Sequence, residues 1–179
     1  MRQSSLFFLL FLLAFPLGAE SKISRIDARA EAGTVSVRFT LENGFDDPEL
    51  IRSLQSGLPT GFSYRVEIFR KRPNWFDDTL AASTIEVICT YNSVTREYLV
   101  NYRRDRKLVR SETFRDFALV RERMTSIDEP ELFRIGNRRP YKHRIRVRAE
   151  FGKTLMLFVV PRTVTTDWRE ARIKTRETS

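Results

Sequence analysis

YKHRIRVRAEF, residues 141–151, alternates without a break: Tyr141, His143, Ile145, Val147, Ala149 and Phe151 share one parity, and Lys142, Arg144, Arg146 and Arg148 the other. A repeat of two places successive side chains on opposite faces of an extended chain, so the stretch is a strand with one buried and one wet side. The wet side carries four cations in a row. A strand of this kind sets the expectation for the rest of the chain, an antiparallel β domain whose strands are bounded by turn residues.

Working outward, the same alternation recurs. Ile23 to Glu31 reads as a first strand, turned by Ala32-Gly33 into TVSVRFTL, where Val35, Val37, Phe39 and Leu41 point one way until Asn43-Gly44. FSYRVEIF aligns Phe62, Tyr64, Val66 and Ile68, and TIEVICTY aligns Ile85, Val87, Cys89 and Tyr91. Asn92-Ser93 is expected to make a tight hairpin into TREYLVNYR, with Tyr98, Val100 and Tyr102 aligned. TLMLFVVP and a last strand near Trp168 complete the set.

Helices interrupt this pattern. DDPELIRSLQSG supplies Asp47 as N-cap, Pro48 at the first position, Leu50, Ile51 and Leu54 on one face and Gly57 past the end. TFRDFALVRERM puts Phe114, Phe117 and Ala118 at helical spacing after a capping box of Thr113 and Asp116, and a short helical turn is expected from Pro130 to Ile135, stopping at Gly136. Seven or so strands of this length imply a mainly β fold: an antiparallel sandwich, immunoglobulin-like, or a partly open barrel, with one to three short helices inserted.

The start of the chain indicates where it works. Arg2 precedes an apolar run from Leu6 to Phe15, followed by Pro16, Leu17, Gly18 and Ala19, the order of a secretory signal peptide. A ten-residue helix rises about 15 Å, half of what a membrane span needs, so cleavage near Ala19 is expected over retention as a single tether. Taking residues 1–19 as leader leaves 160 of the 179 residues for one β-rich domain, 20–179, enough to bury a core without staples. The single cysteine, Cys89, excludes an intramolecular disulfide, and its place on the apolar parity makes it a small core residue.

LIRSLQSGLPTGFSYRVEIFRKRPNWFDD, the Tyr91 to Tyr98 hairpin, VVPR and DWREARI come in the order of an exported bacterial family catalogued as domain of unknown function 4390, which the chain resembles over most of its length. It departs where Val160-Pro161 stands in place of a Leu-Pro pair. The resemblance implies a secreted β-rich domain with no assigned chemistry.

Reactive patterns are scarce. One histidine cannot build a His-rich or Cys/His metal site, and no cofactor motif occurs: there is no Gly-x-Ser-x-Gly elbow, no Ser-x-x-Lys and no glycine-rich phosphate loop. A hydrolase would have to use His143, which sits on the apolar parity, or the carboxylate pairs Asp46/Asp47 and Asp77/Asp78, which suit caps and turns. The expectation is therefore a binding or accessory domain and not an enzyme.

Charge narrows the partner. Without Arg2 the 32 basic residues become 31, against 23 acidic, a net charge of +8. Tyr102 beside Arg103, Arg104, Arg106, Lys107 and Arg110 would suggest nucleic acid in a cytoplasmic protein, but an exported one meets acidic proteins and anionic envelope surfaces instead. Trp75 and Phe76, beside Arg70, Lys71 and Arg72, suit peripheral membrane contact or a partner pocket; oligomeric state is left open. On the basic strand, neighbouring cations about 6.6 Å apart repel by roughly 0.6 kcal/mol in water and about 2.5 kcal/mol at an effective dielectric of 20. Either cross-strand acids such as Glu67, Glu86 or Glu97 offset this, or the stripe Lys142, Arg144, Arg146, Arg148 receives an anionic ligand.

Overall fold

A computed structural model describes residues 20–73, 75–136, 143–151 and 164–175. The elements run β1 (Lys22–Glu31), β2 (Thr34–Glu42), α1 (Pro48–Gln55), β3 (Thr60–Arg70), β4 (Asp78–Asn92), β5 (Glu97–Arg104), β6 (Lys107–Phe114), α2 (Phe117–Thr125), β7 (Ser126–Arg134), β8 (Arg144–Phe151), β9 (Val164–Thr165) and β10 (Arg169–Thr175). The leader, Lys142 and TLMLFVVP lie outside the described residues.

Nine strands follow the order β6-β5-β4-β3-β8-β10-β1-β2-β7, with β9 paired to β8. The fold is mainly β, a curled open sheet forming a half-barrel. The pairings do not divide into two facing immunoglobulin-type sheets. The reason lies in β10, whose first half, Arg169 to Arg172, pairs antiparallel with β8 while Ile173 to Thr175 pair parallel with β1. One strand thus joins what two sheets would have separated, the way a corner is turned in orthogonal packings.

The concave face carries the core. Val35, Val37, Phe39, Leu41, Phe62, Tyr64, Val66, Ile68, Ile85, Val87, Cys89, Ile145, Val147 and Ala149 are all buried, as the alternation required. One end of the half-barrel is plugged by both helices. Asp47 accepts from the Glu49 N–H to cap α1, which buries Leu50 and Leu54; Asp116 accepts from the Ala118 N–H to cap α2, which buries Val120 and Met124. Phe45 stands edge-on to Phe62 at 5.2 Å and to Phe117 at 5.7 Å, and Phe151 meets Phe62 at 5.7 Å, so aromatic rings seal this end.

Three local expectations need correction, and one strand was not anticipated. The chain turns after Asn92 through four residues, 93–96, not two: the Asn92 side chain accepts from the Val94 and Thr95 N–H groups and Arg96 takes φ 57°. The charged run 107–114 is the strand β6, reached through Asp105 and Arg106 at φ 50° and 69°, a tight turn that composition hid because neither residue is glycine or asparagine. Phe114 ends that strand, so α2 begins later than expected and Asp116 alone caps it. Pro130 to Arg134 are strand, not helix. Pro130 is tolerated there because β7 is an edge strand and its pairing to β2 slips between Val35 and Val37.

Candidate binding surface

The basic stripe lies on the convex face of a central strand. Across β3, Arg148 stands opposite Arg65, Arg146 opposite Glu67 and Arg144 opposite Phe69; across β10, Arg146 stands opposite Glu170. These neighbours supply carboxylates to the stripe. Glu67 is buried and accepts from Arg146 Nε at 2.8 Å and from Arg65 Nε at 2.7 Å, with Arg146 Nη2 at 2.7 Å. Arg144 reaches Glu170 at 3.4 Å and Arg148 reaches Glu150 at 2.9 Å. Of the acids expected to serve, Glu67 does so, whereas Glu97 holds Arg115 and Glu86 sits opposite Arg103 without an ion pair among the described residues.

Trp168, just ahead of β10, completes the face. The Arg146 and Arg148 guanidinium carbons each lie 4.7 Å from its ring centre, and Arg146 also lies 4.9 Å from the ring of Phe69. The ring shields the two cations from water on one side and offers its negative face to both. Burial pushes the Glu67 carboxyl pKa upward, but hydrogen bonds from Arg65 and Arg146 outweigh it and hold the group below its usual range. The stripe is therefore a knitted sheet surface, with each described arginine matched to a carboxylate.

The other candidates separate. Arg104 turns inward and crosses the gap between the two sheet edges to reach Glu129 on β7 at 3.3 Å. Arg104, Tyr102, Val109, Arg110, Glu129 and Pro130 help line a cleft of about 250 Å³ there. Arg103, Arg106 and Lys107 are exposed and make no ion pair among the described residues. Trp75 and Phe76 are 73% and 87% exposed, on the loop joining β3 to β4 at the end of the half-barrel away from the helices. Their basic neighbours are fixed in place: Arg70 and Arg72 both grip Asp78, at 2.8 and 2.9 Å, and Lys71 reaches Glu170 at 3.1 Å.

The groups on which a hydrolase would draw sit as follows. His143 is buried at the head of β8, Asp47 is a helix cap, Asp78 clamps the loop arginines and Asp77 lies 3.9 Å from Arg146. Cys89 is a free, buried thiol whose pKa burial pushes up to about 12. No group of His, Cys, Asp and Glu among the described residues is arranged to hold a metal ion, and no described helix is long and apolar enough to cross a membrane.

Fold and surface define a mainly β half-barrel with a charge-knitted convex face and an aromatic loop at its open end. The model of a family described as Domain of unknown function (DUF4390) matches residues 18–169, and the chain belongs to that family. Neither the curated proteins nor the solved structures compared with it yield a match.

Proposed function

We propose that this chain is an exported, non-catalytic accessory domain of the bacterial cell envelope that docks on an anionic surface through its Trp75–Phe76 loop. The observation that carries the reading is the exposure of those two rings, 73% and 87%, on a loop whose three cations are held in place by Asp78 and Glu170. Large aromatics kept in water at a loop tip, beside cations, have the composition of a bilayer interface contact, where rings sit at headgroup depth and cations meet phosphate. The net charge of the chain adds long-range attraction to such a surface. On this reading Arg144, Arg146 and Arg148 stiffen the sheet behind the loop and contribute their field, and the exposed Arg172, opposite Arg144 across β10, makes no ion pair among the described residues.

A variant with Trp168 changed to Phe leaves Trp75 as the sole fluorophore of the two tryptophans. Vesicles containing anionic phospholipid should shift its emission to the blue and shield it from a water-soluble quencher, and zwitterionic vesicles should not. Unchanged emission, or undiminished vesicle binding by a Trp75→Ala, Phe76→Ala double variant, defeats the proposal; capture of an acidic envelope protein by the same loop would replace the lipid with a protein ligand.

A further inference from the structure

On the convex face β10 sets two cations against each other. Arg172 lies directly opposite Arg144 on β8, and Arg144 in turn stands opposite Phe69, one residue before the base of the aromatic loop. Like charges paired across neighbouring strands repel. The nearest carboxylates do not relieve Arg172, because each already serves two other cations. Glu170 meets Arg144 at 3.4 Å and Lys71 at 3.1 Å, and Asp27 on β1 accepts from Arg29 Nε at 2.9 Å and from Lys174 Nζ at 3.0 Å. Arg172 itself is exposed and makes no ion pair among the described residues. Its guanidinium fork therefore stands in a cationic patch with no carboxylate of the described residues upon it.

We infer that Arg172 is the phosphate-recognising residue of the docking face, receiving the headgroup of an anionic phospholipid while Trp75 and Phe76 sit at the interface; the inference rests on the docking reading above and supplies its polar contact. The position suits this role. Residues 71–77 join β3 to β4, so the loop tip reaches no more than about 12 Å beyond Arg70, close to the Debye length of about 10 Å at 0.1 M salt. Rings seated at headgroup depth thus bring the phosphate layer into the field of Arg172. A guanidinium offers parallel N–H donors that match two phosphate oxygens, where an ammonium is only a point charge. The headgroup supplies the anion that the sheet withholds, and the exposed rings beside the patch favour a bilayer over an acidic protein as its source. Stability does not call for this cation, because removing it also removes its repulsion of Arg144.

Cosedimentation of residues 20–179 with phosphatidylcholine vesicles carrying phosphatidylglycerol tests this, with Trp75 emission followed in the Trp168→Phe background. Arg172→Gln should weaken binding about 10-fold, and Arg172→Lys, which keeps the charge and loses the fork, at least about 3-fold, with melting temperatures no lower than that of the wild type. Arg96→Gln removes the same charge from the exposed turn after β4, at the helix end, and should change binding less than about 2-fold. Equal binding by the wild type and Arg172→Gln, with the blue shift of Trp75 intact, overturns this inference and leaves the loop reading standing. A loss matched by Arg96→Gln overturns it as well, since net charge would then account for the binding. Arg172-dependent binding of polyglutamate without vesicle binding would replace the lipid with an acidic protein. A wild type whose Trp75 emission does not move on these vesicles overturns the docking reading and this inference with it.

Discussion

Glu67→Gln is the sharpest test of the convex face, since this carboxylate holds two arginines from two strands while itself only 6% exposed. The substitution removes the charge but keeps the shape. Three short contacts, 2.7 Å from Arg65 Nε and 2.8 and 2.7 Å from Arg146, lose their charge-assisted character, each a bond of the class worth about 1.5–3 kcal/mol when a charged group is involved. They are not additive. Arg65 is 45% exposed and regains water, so its share is small; Arg146 is 22% exposed and keeps the rings of Phe69 and Trp168 and a distant Asp77. A net loss of about 2–3 kcal/mol follows, equivalent to a fall in Tm of roughly 5–10 °C for a chain of this size. The pH dependence gives an independent check. Because the folded carboxyl is held below its usual pKa, its contribution is full above the unfolded value and disappears as pH falls through the folded one. Urea unfolding followed by circular dichroism at neutral and at acid pH should therefore show the wild type and the variant converging in acid. A variant within about 0.5 kcal/mol of wild type at pH 7, or a gap that persists unchanged in acid, would refute the claim that Glu67 neutralises the stripe.

Other outcomes follow from the interior. Tyr64, fully buried, donates its hydroxyl to the Met124 carbonyl at 2.7 Å, so Tyr64→Phe should cost about 1–3 kcal/mol in chemical unfolding by leaving that carbonyl unpaired at the end of α2. Cys89 should react with a thiol reagent in the native protein orders of magnitude more slowly than in urea; rapid labelling would mean that β4 opens locally. Burial raises the Glu129 carboxyl above its usual pKa, against the pull of Arg104, so its folded form favours the proton: this contribution is present at acid pH and disappears as pH rises through the folded value. Glu129→Gln should flatten that dependence as pH rises above the ordinary glutamate range in a series of melting curves.

Much of the fold is legible where one face of an element is buried. β2 and β8 keep strict alternation, and β3 keeps it from Phe62 to Val66, because a one-residue slip would turn Phe39, Tyr64 or Val147 to water, and α1 shows its cap, proline and apolar face within ten residues. β6 was hidden because edge strands are wet on both sides; its first five residues are exposed, so no periodicity marks it. The second half of β7 reads as a short helical turn because Pro130 with Leu132 and Phe133 mimics a helix start, whereas the bulge that admits the proline is set by β2, distant in sequence. For the surface, the stripe was visible but its meaning was not. Whether Arg146 is free depends on Glu67 lying opposite it, 79 residues away, and on Trp168 from the far side, and only the pairing of β3, β8 and β10 brings these together. The Trp75–Phe76 loop carried the stronger local signal, since an aromatic pair between cations and acids has no strand or helix pattern to belong to.

The direction of the strands joins the loop to the question of the leader. β1 begins at the end plugged by the helices, where Lys22 pairs with Glu42 just ahead of α1, and runs ten residues, about 34 Å, to the Ala32–Gly33 turn at the opposite end. The register from Arg70 through Arg144 and Arg172 to β1 places the Trp75–Phe76 loop at that opposite end. A chain still tethered by residues 1–19 would therefore hold its helix end against the tethering membrane and its aromatic loop some 30–40 Å away, farther than the Debye length of about 8 Å over which its charges act. Released from that tether, the domain is free to turn its loop to a membrane. On the reading proposed above, vesicle contact by Trp75 and retention of a leader would exclude one another, and mass spectrometry of the protein recovered from its native host discriminates them. A mature N-terminus near Glu20 is the result expected of a domain that docks through Trp75; an intact leader would direct the loop instead toward a partner held across the compartment.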